Sequence, residues 1–119
     1  INKVEIKPKR KIIEVNFSKS ETMKQLGLDE DTIDMLLANF FSTLEHDIQK
    51  LENAIDSSIA QDIVQASHYL KSSSVNLVMK EASLILENIE KDAKNGKVTF
   101  EKNVIEDLKY IFKKIKESI

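Results

Sequence analysis

From Asp29 to Ile55 the apolar residues fall at Ile33, Leu36, Leu37, Phe40, Phe41, Leu44, Ile48, Leu51 and Ile55. Steps of three and four put them on one side of a helix. The pattern then recurs. Ile59, Ile63, Ala66, Ser67, Leu70, Ser74 and Leu77 predict a third helix, and Ala82, Ile85, Leu86, Ile89 and Ala93 a fourth. Val104, Ile105, Leu108, Ile111, Phe112 and Ile115 predict a fifth. A short first helix precedes them: Ser18 and Glu21 have capping-box spacing, and Gly27 suits a left-handed close. Asp29 starts the second helix, Ser58 and Gln61 offer a second capping box for the third, Asn95-Gly96 ends the fourth, and Thr99 is placed to cap the fifth.

Four long amphipathic helices joined by short connections bury their stripes together only as an antiparallel bundle. The expected fold is therefore all-α, an antiparallel four-helix bundle with a short additional N-terminal helix covering one end. Residues 1–17 read differently. Val4, Ile6, Ile13, Val15 and Phe17 alternate with polar residues as in a strand, Pro8 divides the segment, and Lys7, Lys9, Arg10 and Lys11 cluster in it. We read 1–17 as a linker or extended N-terminal arm and 18–119 as the bundle domain. The chain begins with Ile1, which suggests a piece of something longer.

Composition narrows the chemistry. The 119 residues suit one domain, and two glycines and one proline favour helices over tight turns. The net charge of −2, with both signs interspersed, leaves no nucleic-acid footprint. Without cysteine there are no disulfides, thiolate zinc sites or thiol catalysis. No apolar run approaches the roughly 18 residues of a membrane span, so no membrane insertion of this segment and a cytoplasmic setting are expected. A phosphate-cradling loop needs more glycine than the chain has, which argues against kinase activity.

The candidate chemistry lies on the third helix. At about 100° per residue, His68 falls roughly 150° from the centre of the core stripe, so it should face water. Gln61, Val64, Gln65, Lys71, Ser72 and Val75 share its face. Val64 and Val75 are apolar where polar residues are expected, which suggests a docking patch. Ser72 is too small to cover the imidazole, and Lys71 at +3 reaches a charge placed on it. At neutral pH an exposed imidazole is a nucleophile that needs no activating base, and phosphoryl transfer asks for little beyond positioning and a nearby cation. A surface histidine with a lysine at +3 is also common by chance.

The longer string Ala66-Ser67-His68-Tyr69-Leu70-Lys71-Ser72-Ser73-Ser74-Val75-Asn76-Leu77 resembles the histidine-containing phosphotransfer (HPt) domains of two-component phosphorelays. The likeness spans roughly Asp29 to Gly96. It implies His68 as phosphoacceptor, Lys71 as phosphoryl support, and Ser72 and Ser73 beside the site. It further implies a four-helix bundle, response-regulator receiver domains and a hybrid sensor histidine kinase as partners, and no cofactor on this chain, with Mg on the receiver. Such a module is a carrier without kinase activity of its own. Three departures stand out. Ser67 replaces a usual alanine, Ser72 a frequent glycine, and Val78-Met79 a common Gly-Ala, leaving the boundary between the third and fourth helices open. The alternative reading is a helical adaptor domain that binds without phosphorylation, a degenerate module of the same kind.

Other candidates are weaker. His46 also faces solvent, but with no apolar rim and no basic residue at +3. Met35, Ala38 and Ser42 would widen a docking surface if the second helix neighbours the third. A di-iron bundle needs Glu-x-x-His, and Thr43 and Gln65 stand where its glutamates belong. No nucleophile, base and orienter form a hydrolytic set. Asp29 and Asp31 are explained by helix capping.

Overall fold

The computed structural model describes residues 13–101 and 103–119. Among the described residues five helices follow one another: α1 (Lys19–Leu26), α2 (Glu30–Ser57), α3 (Ala60–Asn76), α4 (Lys80–Lys94) and α5 (Val104–Glu117). Helix α3 packs against α2 and α4, and α5 closes the ring by packing against α4 and α2, while α1 lies on α2. Only Ser58-Ile59 and Leu77–Met79 link α2 to α3 and α3 to α4, so each of these connections reverses the chain and neighbours run antiparallel. The predicted bundle with its extra short helix is the observed fold.

The buried stripes meet in one core. Ile33, Leu37, Ile48 and Leu51 of α2, Ile63 and Leu70 of α3, Leu86 and Ile89 of α4, and Leu108, Ile111, Phe112 and Ile115 of α5 all lie within it. Phe40 packs on Phe112 with ring centroids 5.4 Å apart, tying α2 to α5. Residues Leu36 and Ile59, assigned to the stripes by spacing, are exposed instead.

Caps explain where the helices start and stop. Ser18 Oγ accepts from Glu21 N and Asp29 Oδ1 from Thr32 N, as their positions predict. Three helices end in the same way. Past α1, Leu28 N donates to Met23 O and Gly27 N to Lys24 O; past α4, Lys97 N donates to Asp92 O and Gly96 N to Ala93 O. Past α3, Met79 N donates to Ser74 O and Val78 N to Val75 O. These are Schellman closures, whose turning residue has positive φ and is usually glycine. Gly27 and Gly96 meet that demand at 67° and 88°, whereas the third closure forces Val78 to 59°. Leu77 and Met79 on either side are buried, so the turn's flanks are plugged into the core.

Two predicted caps are corrected. Ser58 does not cap α3; at φ 56° it closes α2, its N–H bonded to Ile55 O, because a two-residue link leaves no room for both jobs. Ile59 takes the cap position of α3 without a side-chain bond. Thr99 does not cap α5 either. Val98 and Phe100 pack against the core, the chain between them is not helical, and α5 starts after Asn103.

Of the N-terminal arm, Val4, Ile6, Pro8 and the basic cluster lie outside the described residues. Ile13, Val15 and Phe17 pack against the core, and Asn16 N donates to Glu81 Oε2 at 3.2 Å. This part of the arm is laid along the bundle near the start of α4.

Candidate functional site

Helix α4 carries a charge on its inner side. Ala82, Leu86, Ile89 and Ala93 are its buried stripe, and Glu90, one turn past Leu86, is buried with them. A carboxylate there must be paired or neutralised. Among the described residues Glu90 has three such partners. Its Oε2 accepts from His68 Nδ1 at 3.0 Å and lies 3.1 Å from Lys94 Nζ, one turn further along α4. Its Oε1 takes no well-directed hydrogen bond, but the Lys71 ammonium from α3 stands 2.9 Å away as an ion pair.

Burial alone would push the Glu90 carboxyl up. The Lys71 and Lys94 ammoniums and the His68 ring outweigh it and hold the group down at about 2. In return, the bond to Glu90 raises the Lys71 ammonium further above its ordinary value, against the effect of burial. Glu90 is therefore ionised at any physiological pH. An ionised carboxylate only accepts, so the shared proton belongs to Nδ1. In the neutral ring that leaves the lone pair on Nε2, the nitrogen distal to the backbone. The side chain of His68 is 58% exposed, whereas that of Glu90 is 5% exposed. The carboxylate holds the ring from below while its outer edge meets water.

His68 thus faces solvent as its phase on the helix predicts, though it leans over the seam between α3 and α4. Lys71 comes to it through Glu90 rather than directly. Ser72 and Ser73 are half-buried on α3, and Ser73 Oγ donates to Tyr69 O. Ser67, before the histidine, is buried and satisfied by donating to Ile63 O at 2.6 Å. The expected pair of spare valines divides. Val64 packs half-buried against the core, so the bundle does use it. Val75 is exposed and lines a shallow groove with Val78, Met79, Ser83, Leu84 and Glu87, in which Leu84 is a second exposed apolar side chain. Gln65 lines a different groove, between α2 and α3, with Asp47, Lys50 and Tyr69. Helix α2 does neighbour α3, and Met35 on it is exposed.

Neither Glu90 nor Lys94 stands out in the sequence reading. The signal was present: Glu90 follows Leu86 by four and precedes Ala93 by three, so it interrupts an apolar stripe. A charged residue in that phase needs a partner from a neighbouring helix, and His68 and Lys71 occupy the facing positions.

The cluster sits on the seam between α3 and α4 with the His68 side chain open to solvent, and the fold is a bundle that presents it. That combination defines a helical bundle domain that presents a histidine to solvent. The chain belongs to the Hpt domain family, whose model matches residues 35–118. The match starts within α2, runs through α5, and includes all four residues of the cluster. No curated protein and no solved structure matches the chain. Hpt domains are phosphorelay carriers rather than kinases, and they work with the receiver domains of response regulators and hybrid kinases. No described helix is long and apolar enough to cross a membrane.

Proposed function

We propose that this domain accepts a phosphoryl group on His68 Nε2 from the aspartyl phosphate of one receiver domain and passes it to the aspartate of another. What carries the reading is the pairing of an exposed imidazole with a buried, ionised Glu90 that keeps the proton on Nδ1. The Nε2 lone pair attacks phosphorus, the bond from phosphorus to the aspartyl oxygen breaks, and its electrons leave with the aspartate carboxylate. The ring then bears a positive charge with Nδ1–H still directed at Glu90, which stabilises it. Return transfer is the same sequence reversed, so a carrier needs no base of its own. Lys71 supports the phosphoryl oxygens, and Mg, held by the receiver, serves the aspartyl side. The setting is cytoplasmic, and the receiver of a hybrid sensor histidine kinase is a suitable donor.

The partner-facing surface in this reading is the side of α3 and α4 around His68, including Ser72 and Val75. Incubation with a phosphorylated receiver should move label onto the domain as an acid-labile, base-stable phosphoramidate, and His68→Gln should abolish it. Label that persists in His68→Gln would sink the assignment. Receiver binding by a wild-type domain that takes no label would instead support a non-phosphorylated adaptor.

A further inference from the structure

We infer that Lys94 is a second phosphoryl-binding residue, sharing with Lys71 the task of stabilising phosphorylated His68 while Glu90 keeps a cation throughout. The inference rests on the proposal that His68 is the phosphoacceptor.

The arrangement around Glu90 has one carboxylate and two ammoniums, one on each oxygen. Lys71 Nζ is 2.9 Å from Oε1 and Lys94 Nζ is 3.1 Å from Oε2. The oxygen that Lys94 contacts is the one bonded to His68 Nδ1, so this ammonium sits beside the imidazole. Before transfer, with the ring neutral, the cluster carries one positive charge in excess. An arriving phosphoryl group brings up to two negative charges to the other ring nitrogen.

A single lysine could not answer both demands. Glu90 is almost entirely enclosed, and a buried carboxylate stripped of its counterion is strongly unfavourable. If Lys71 alone were present, turning it toward the phosphoryl oxygens would strip Glu90. With two lysines, either ammonium turns outward while the other stays. Exposure favours Lys94 as the one that moves: its side chain is 61% exposed, against 26% for Lys71. Lys94 also stands on α4, so the phosphoryl group is gripped from both helices of the seam.

The test uses the full chain, phosphorylated chemically with phosphoramidate so that no partner is needed. Lys94→Ala, Lys94→Arg, Lys71→Ala and the double alanine variant are compared with Lys91→Ala, an exposed lysine on the same helix outside the cluster. Two quantities are read: the lifetime of the phosphohistidine at neutral pH, and the ionisation of the phosphoryl group followed by phosphorus NMR. Lys94→Ala should shorten the lifetime by about two- to tenfold, the worth of one ordinary net hydrogen bond, and raise the phosphoryl group's second pKa, so that less of it is dianionic at neutral pH. Lys94→Arg should restore most of both. The double variant should be worse than either single one. If Lys94→Ala matches Lys91→Ala in both readings, the role is wrong even though His68 is labelled. If the wild-type His68 takes no label, the phosphoacceptor reading falls and this one with it.

Discussion

His68 Nδ1 and Glu90 Oε2 meet at 3.0 Å, across a separation of 22 residues and the seam between two helices. The contact makes a surface side chain answer to a buried one. The nitrogen on the inner edge of the ring is held by a carboxylate that water barely touches.

Replacing Glu90 should therefore alter His68 without altering its exposure. In Glu90→Ala the neutral ring should shift toward the Nε2–H tautomer, visible in its nitrogen chemical shifts, and receiver-dependent transfer should slow by roughly tenfold. Glu90→Gln should fall between, because an amide oxygen still accepts from Nδ1–H. An unchanged tautomer ratio in Glu90→Ala would refute the orienting role.

The same carboxylate predicts an acid limit. Its carboxyl is held at about 2 in the fold, against an ordinary value of 4.5 in the unfolded chain. A depressed folded value stabilises fully above the unfolded one and is lost as pH falls through the window between them. Denaturant melts at pH 7, 4 and 2.5 should show wild type losing roughly 1–3 kcal/mol more than Glu90→Gln across that range, the lower end reflecting screening of the exposed Lys94. Equal acid sensitivity of the two proteins would count against the linkage.

Val75 on α3 and Leu84 on α4, both exposed, line one groove beside the turn between those helices. If a receiver seats there, Leu84→Asp should raise the receiver concentration needed for half-maximal transfer by about five- to thirtyfold, equivalent to roughly 1–2 kcal/mol, and leave the saturating rate close to wild type. A fall in the saturating rate with unchanged concentration dependence would show that Leu84 acts elsewhere.

Val78 offers a test of backbone strain. Its φ of 59° is one that a β-branched residue pays to adopt, at a place where α1 and α4 use glycine. Both Val78→Ala and Val78→Gly remove the isopropyl group, so their difference isolates the backbone. Val78→Gly should be the more stable by about 1 kcal/mol, the reverse of the order inside a helix. Thermal melts that rank alanine above glycine would contradict the strain.

The helical repeat made most of the architecture legible, since spacing alone separates a buried stripe from a solvated face. The stripe of α5 and the outward phase of His68 follow from it directly. Caps were harder where connections are short. Ser58 has the right chemistry to start α3, but with only Ile59 between the helices it is consumed in ending α2. Thr99 failed because Val98 and Phe100 draw the chain onto the core before α5 begins. The site was half legible. His68 and Lys71 are neighbours on one helix, whereas Glu90 and Lys94 join them only through the pairing of α3 with α4. Periodicity within a helix does not report on which helix lies beside it.

Every group of the cluster falls in one uninterrupted stretch from His68 to Lys94, folded back on itself at the Val78 turn. Helix α5 and the phenylalanine contact across to α2 lie outside that stretch and contribute none of its charges. Competence and endurance are consequently separable in this chain. Damage to α5 should shorten the life of the folded domain while each surviving molecule keeps a competent histidine, and damage to the hairpin's charges should leave a durable fold with a silent one.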